Sequence, residues 1–442
     1  MSEKDLHTPQ PDEALPQEPD VDVSHPADAA DHIEALDIQD QVKFVKQLPV
    51  KDAANSIAEM ELRDQASLME SLNLGLAVRI VESMSPDDAA DLLDALDEEH
   101  RREVLKRMAA EDRAGLKALL TFDPDTAGGV MNTQVVILSE DLSADQAVTT
   151  IRDQVEDKEV PYYAYLVDKE QRLTGVVSLR DLLVAKRGLK LKDLVKTQSL
   201  ITVTYDEDKE EVARLIGHYN LLALPVVDFG NRILGVVTVD DGIDIIHEEA
   251  SEDMQAMVGA GADESTDSPV FYSVRKRLPW LVINVINSAI AAWVVHLFEG
   301  TIAQMAILAA LMHIVSNQAG NTGQQSLAVM IRQLALDKYD RKRFWWAAVR
   351  EVRVGALNGA IISVLICVAV YLLTFDTALS LTMALALGLD MLIGALFGAC
   401  IPLILREIGR DPAQASSIFL TTITDSAGFW IFLALAQWII LN

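Results

Sequence analysis

Between about Ile33 and Leu120 the apolar positions return at helical spacing in short blocks. Each block opens on a polar or proline start, as at Leu48-Pro49-Val50 and Met84-Ser85-Pro86. These two starts lie 36 residues apart, which suits stacked helical hairpins that cannot bury their apolar faces singly. The pattern then shortens into runs that read strand, polar turn, strand, helix, and it does so twice. The run from Tyr165 to Asp181 returns as Pro225 to Asp241, with Asp168, Arg172, Gly175 and Ser178 answered 60 residues later by Asp228, Arg232, Gly235 and Thr238. Ser178 and Thr238 are placed to cap the helix that follows. Beyond Pro269 come five apolar stretches, near 279–298, 301–331, 351–375, 379–405 and 413–441, each meeting the roughly 20 residues needed to cross a bilayer. The chain is therefore expected to be multidomain. A disordered acidic tail covers 1–31, an α-helical superhelical N-domain 32–130 and a tandem α/β pair 131–247. A connecting helix covers 248–272 and a five-helix transmembrane domain 273–442.

Charge sharpens this division. After residue 272 there are nine acidic and twelve basic residues; before it there are 57 and 25, so the front carries −32 and the rear +3. A front half this acidic repels nucleic acid and attracts cations, which argues against a DNA or RNA partner. Cys367 and Cys400 both sit in apolar runs and support neither a disulfide framework nor a thiolate metal site. The N-terminus lacks the apolar core of a signal peptide. The basic residues of the rear half precede the first apolar stretch (Arg275, Lys276, Arg277), join the second to the third, or join the fourth to the fifth (Arg406, Arg410). That bias puts the acidic region and those loops in the cytoplasm, and the C-terminus outside, in a multi-pass membrane protein.

Two polar clusters interrupt the apolar stretches. The second stretch carries a run from Ser316 to Ser326 that includes Asn317, Gly320, Asn321 and Gly323. Its glycines are expected to weaken the helix, and irregular backbone at membrane depth survives only where it is buried or lines water. Carbonyl and amide oxygens are the hard donors that a hydrated Mg²⁺ or Ca²⁺ uses. The fifth stretch carries Thr421, Thr422, Thr424 and Ser426 around Asp425, its only acid. A lone carboxylate there needs water, a cation or a donor. The hydroxyls, by contrast, are equally explained by hydrogen bonds between helices. Asp390 is a second intramembrane acid whose role these patterns leave open. Ahead of the membrane, Asp241, Asp244 and Glu248, then Glu249, Glu252 and Asp253, gather like charges on helical faces. At about 4 Å, two such charges repel by about 1 kcal/mol even in water. A metal ion bridging them to the acidic N-domain would relieve that repulsion; a solvated linker helix is the plain alternative.

The duplicated α/β unit resembles a tandem pair of CBS modules. In such modules the cleft often binds an adenosine ligand such as ATP, with the Asp after the second strand (here Asp181 or Asp241) on the ribose. No Gly-rich phosphate loop accompanies it here. The run from Gly320 to Ser326 with Arg332 beyond, Asp411-Pro412 ahead of Asp425, the Asp123-to-Met131 joint and the order of domains together resemble the MgtE magnesium channels. That resemblance implies a homodimer in the lipid bilayer with a Mg²⁺-conducting pore at the subunit interface. Asp425 is then the pore carboxylate, beside the backbone of Gly320 and Asn321. It also makes 248–272 a plug helix that closes the pore when cytosolic Mg²⁺ is high. The implied sensor ligands are Asp87, Asp91, Asp208, Glu210, Asp241, Asp244, Glu249, Glu252 and Asp253. The chain departs from the family at His313, often Pro, at Ala319, often Gly, and at Asn220 and Ser417, often an acid and Asn. An ion-coupled secondary transporter of divalent cations including Co²⁺ is the alternative. A third reading makes the CBS pair a nucleotide sensor for a membrane enzyme, but no hydrolase spacing, activated nucleophile or P-loop points to catalysis.

Overall fold

The N-terminal helices start every twelve residues. They are α1 (Pro26–Glu34), α2 (Ile38–Val45), α3 (Val50–Ala58), α4 (Leu62–Ser71), α5 (Leu74–Val81), α6 (Pro86–Ala95), α7 (Glu98–Arg107) and α8 (Ala110–Leu119). In this computed structural model the described residues are 25–154, 163–195, 200–261, 264–266, 268–336, 340–414 and 416–441. The expected tail lies almost wholly outside them, although α1 begins within it. Two residues before each start from α2 to α8 the chain carries Leu or Met, and Met60, Leu72, Met84, Leu96 and Met108 are all buried. The sequence spacing of 36 is thus three single-helix repeats, not one hairpin unit. A helix under three turns plus a tight turn fills twelve residues, and each helix packs on the next but one to build a shared core. Glutamates tie the ladder together. Glu34, Glu70 and Glu82 each reach 27 residues forward to accept the backbone N–H of Glu61 (2.7 Å), Asp97 (3.3 Å) and Ala109 (2.8 Å). Those residues precede α4, α7 and α8, so the carboxylates satisfy donors that a helix start leaves open.

Two α/β units follow. The first comprises β1 (Ile137–Ser139), α9 (Ala144–Gln154), β2 (Tyr163–Val167), β3 (Leu173–Ser178), α10 (Leu179–Val184) and α11 (Leu191–Leu194). The second comprises β4 (Val203–Thr204), α12 (Lys209–Tyr219), β5 (Ala223–Val227) and β6 (Ile233–Thr238). In each, the outer strand runs parallel to the middle one, and the last two strands form an antiparallel hairpin. The duplication extends to fine geometry. Tyr165 faces Val176 as Pro225 faces Val236, and Gln171 (φ 62°) and Asn231 (φ 61°) make the same left-handed turn. The two sheets meet edge to edge through Leu173 N–H to the Asn231 carbonyl, 2.8 Å, and share a core of Tyr165, Leu173, Val227 and Val236. Asn220 ends α12 in the left-handed conformation (φ 51°), a position that Asn tolerates well.

Helix α13 (Val239–Val258) follows β6 directly. The chain forms two units, 1–246 and 247–442, and the boundary falls within this helix. In the second unit, α13 ends at Gly259, whose φ of +78° and closeness to Trp280 (2.9 Å for an added Cβ) leave no room for a side chain. Then come α14 (Val270–Leu297), α15 (Glu299–Gln304), α16 (Ile307–Leu336), α17 (Arg341–Thr374), α18 (Thr377–Glu407) and α19 (Ser416–Ile440). Among the described residues four helices, α14, α17, α18 and α19, are long and apolar enough to cross a membrane. Helix α16 is as long, at 30 residues, but its amide-rich run makes it more polar.

Small residues bring these helices together. A Cβ on Gly394 would overlap the Ala319 carbonyl oxygen, and one on Gly398 would overlap that of Gly323. Two small residues four apart on α18 thus receive two small residues four apart on α16. The expected break near Gly320 does not occur: α16 is continuous from Ile307 to Leu336. Its glycines serve packing instead, because α18 approaches where side chains are missing.

Candidate functional site

In the first unit the sequence-predicted acids Asp87 and Asp241 come into electrostatic reach, although 154 positions separate them. Asp87 lies in the first turn of α6, where Ser85 caps the helix through the Asp88 N–H. It is 8% exposed and accepts from Asn132 Nδ2 at 3.2 Å. Asn132 is itself paired with β6, donating to the Val236 carbonyl at 2.7 Å and accepting from the Val236 N–H at 2.9 Å. Asp241 lies in the first turn of α13, with its carboxylate held by the Thr238 hydroxyl. Burial, then the charge of Asp88, pushes the Asp87 carboxyl up to about 7. Burial, then the charge of Asp87, pushes Asp241 up to about 7 as well. Two acids within electrostatic reach, both raised to about 7, can hold protons or a cation near neutral pH.

The other candidates are dispersed. Asp91 is exposed one turn beyond Asp87. Asp208 caps α12, accepting from the Glu210 N–H at 2.8 Å. Asp181 accepts from the Ser178 hydroxyl at 2.9 Å in the helix cap after β3. On α13, Asp244 is exposed, whereas Glu249, Glu252 and Asp253 are half-buried beyond the boundary between the units. Glu70, Asp97 and His100 also bring ligand-type atoms within 4.8 Å of one another, but the Asp97 carboxylate is occupied in capping α7. Sequence reasoning missed Asn132, since nothing local marks it as the donor to Asp87.

In the second unit Asp425 stands mid-way along α19, and the Ser316 hydroxyl of α16 donates to it. Gly320 faces Thr424, whose Oγ1 would lie 3.7 Å from an added Cβ. The run on α16 divides cleanly. Ser316, Ala319, Thr322, Gly323 and Ser326 are buried, while Asn317, Asn321 and Gln324 are exposed at helical spacing. Gln324 donates to the Ser417 hydroxyl at 2.8 Å. Asp390, on α18, is fully buried, and neither carboxylate oxygen has a hydrogen-bond partner among the described residues. Where α13 ends, Ala256 and Met257 pack on a cluster formed by Leu327, Ile331, Ile401, Ala413 and Leu420. Glu264 is clasped by Arg277, which holds its carboxyl down to about 2.

Comparison with known proteins bears on each part. A family model described as divalent cation transporter matches residues 312–435, one described as MgtE intracellular N domain matches 24–125, and CBS domain models match 127–188 and 191–248. The magnesium transporter MgtE of Bacillus subtilis is 35% identical over 321 residues, covering 73% of this chain and 71% of that protein. The Enterococcus faecalis protein of the same name is 33% identical over 322 residues, with the same two coverages. The Thermus thermophilus protein is 33% identical over 328 residues, 74% of this chain and 72% of its own. Among solved structures, the cytosolic domain of the Mg²⁺ channel MgtE in complex with ATP aligns with a TM-score of 0.48 at 33% identity, covering 50% of this chain and 90% of that one.

Proposed function

The chain belongs to the MgtE family of magnesium transporters, and from that premise we propose that it is a Mg²⁺-conducting homodimer gated by cytosolic Mg²⁺. In this reading five helices cross the bacterial inner membrane, α14, α16, α17, α18 and α19, with the acidic region in the cytoplasm. The carrying observation is the pairing of Asp425 with Ser316 beside the exposed amides of Asn317, Asn321 and Gln324. Amides cannot face lipid without loss of hydrogen bonding, so this stripe calls for water and a second copy of the chain. A hydrated Mg²⁺ sheds its water reluctantly, and amide and carbonyl oxygens near Gly320 and Asn321 suit its shell while Asp425 supplies negative charge.

The regulatory half of the proposal rests on Asp87 and Asp241. Mg²⁺ entering between them displaces protons and removes their repulsion, drawing the N-domain onto the second CBS unit. Asp91, Asp208, Glu210, Asp244, Glu249, Glu252 and Asp253 act as further ligands, and α13 serves as the plug. The packing of Ala256 and Met257 against residues of α16, α18 and α19 supports that role. We assign no nucleotide to Asp181.

The test is uptake of Mg²⁺ by proteoliposomes carrying the full chain. Asp425→Ala should abolish uptake, and retained uptake in a folded variant would remove Asp425 from the path. Electrical recording separates a channel from an ion-coupled carrier: the absence of a unitary Mg²⁺ current would sink the channel form.

A further inference from the structure

Asp390 is a buried acid that the pathway above leaves unused. It occupies α18 at 0% exposure, and both of its carboxylate oxygens lack a hydrogen-bond partner among the described residues. Such burial at membrane depth is costly and marks function more often than structure. Its direction is informative. A Cβ added to Gly428 would overlap Asp390 Oδ2, so the carboxylate lies against α19 where that helix has no side chain. Gly428 is three residues after Asp425, hence on the same face one turn along. The Asp390 carboxylate is thus placed on the face of α19 that carries Asp425, one turn along the helix. The Ser316 hydroxyl approaches Asp425 from α16, so three helices converge.

We propose that Asp390 and Asp425 form a two-carboxylate site for one divalent cation, with Ser316 orienting Asp425. This rests on the reading of Asp425 as part of the transport path and adds the second acid. Two carboxylates cancel a charge of +2 within one protomer, whereas a monovalent ion would leave one negative charge uncompensated in a low-dielectric setting. Carboxylate and hydroxyl oxygens are hard ligands, and water completes the shell of an ion such as Mg²⁺. Gly428 is required because a side chain there would occupy the place of the Asp390 carboxylate.

The test measures Mg²⁺ uptake by proteoliposomes of the full chain against external Mg²⁺, with Na⁺ leak recorded in parallel. Asp390→Asn keeps shape and removes charge. It should raise half-saturating Mg²⁺ by roughly tenfold to a hundredfold and let Na⁺ compete, while Asp390→Glu restores most of the native affinity. Unchanged half-saturation in Asp390→Asn overturns the proposal, as does equal loss in Asp390→Asn and Asp390→Glu together with lowered melting temperatures, which would make the acid structural. Should Asp390→Asn not fold, Gly428→Ala is read in its place, with the same weakening expected and unchanged affinity counted against. Asp425→Ala tells the two readings apart. Uptake that survives it defeats the pathway itself; uptake lost there but unaltered in Asp390→Asn defeats only the second carboxylate.

Discussion

Replacing Asp87 by Asn tests whether the acidic junction stores the cost of a buried charge. The substitution keeps the oxygen that accepts from Asn132 and removes one of two neighbouring charges. Burial, helped by the charge of Asp88, lifts the Asp87 carboxyl from the ordinary carboxylate range to about 7, which is about 4 kcal/mol of differential interaction between its two protonation states. Because the folded carboxyl holds its proton more tightly than the unfolded one, its stabilising contribution is fully present below about pH 4. It is lost as pH rises through about 7. Without metal, the first unit should therefore loosen between pH 5.5 and 8, and Mg²⁺ should reverse this most strongly at the alkaline end.

All six tryptophans lie beyond residue 247, so fluorescence is blind to this region. Hydrogen exchange of the α6 amides in the full chain reads it directly. Half of the available energy, about 2 kcal/mol, is roughly a 30-fold change in exchange after correction for intrinsic rate. Wild type in EDTA should lose that protection between pH 5.5 and 8 and regain it in millimolar Mg²⁺. Asp87→Asn should stay protected in EDTA and gain little from Mg²⁺. Parallel pH curves for the two proteins would refute the reasoning, because the cost would then not reside in the Asp87 charge.

Two further outcomes follow from packing and pairing in the second unit. Gly398→Ala puts a methyl group on the Gly323 carbonyl oxygen and should cost about 1–3 kcal/mol; tryptophan-detected melting that does not fall would show that α16 and α18 can separate freely. Glu264→Gln breaks the clasp on Arg277 and should speed exchange across the link between α13 and α14 at neutral pH. Since Arg277 holds the Glu264 carboxyl down, the clasp contributes above about pH 4.5 and fades as pH falls toward about 2; equal exchange in variant and wild type at pH 7 would discount it.

What could be read from the chain alone depended on how local each signal was. The 60-residue duplication was legible because both copies keep the same turn, where Asp168 and Asp228 each accept from backbone N–H groups two and four residues on. The helical ladder was legible only in part. Proline-led starts recur at 50 and 86, and they drew the eye to every third repeat, while the quieter Leu or Met before each helix carries the true period of twelve. The run around Gly320 was misread for a different reason. Glycine in a helix weakens it only if nothing repays the lost entropy, and here Gly394 and Gly398 of α18 do so by close contact, a partner 70 or more residues away. The same non-locality hid Asn132 behind Asp87 and left Asp390 without a role, since its own neighbours in sequence are apolar. Composition can announce that an acid lies in a membrane helix. Only the fold says what it faces, and for Asp390 that is the bare backbone of Gly428, one turn from Asp425. A glycine at 428 and an acid at 390 are therefore one structural requirement expressed at two distant positions, and substituting either should disturb the same carboxylate.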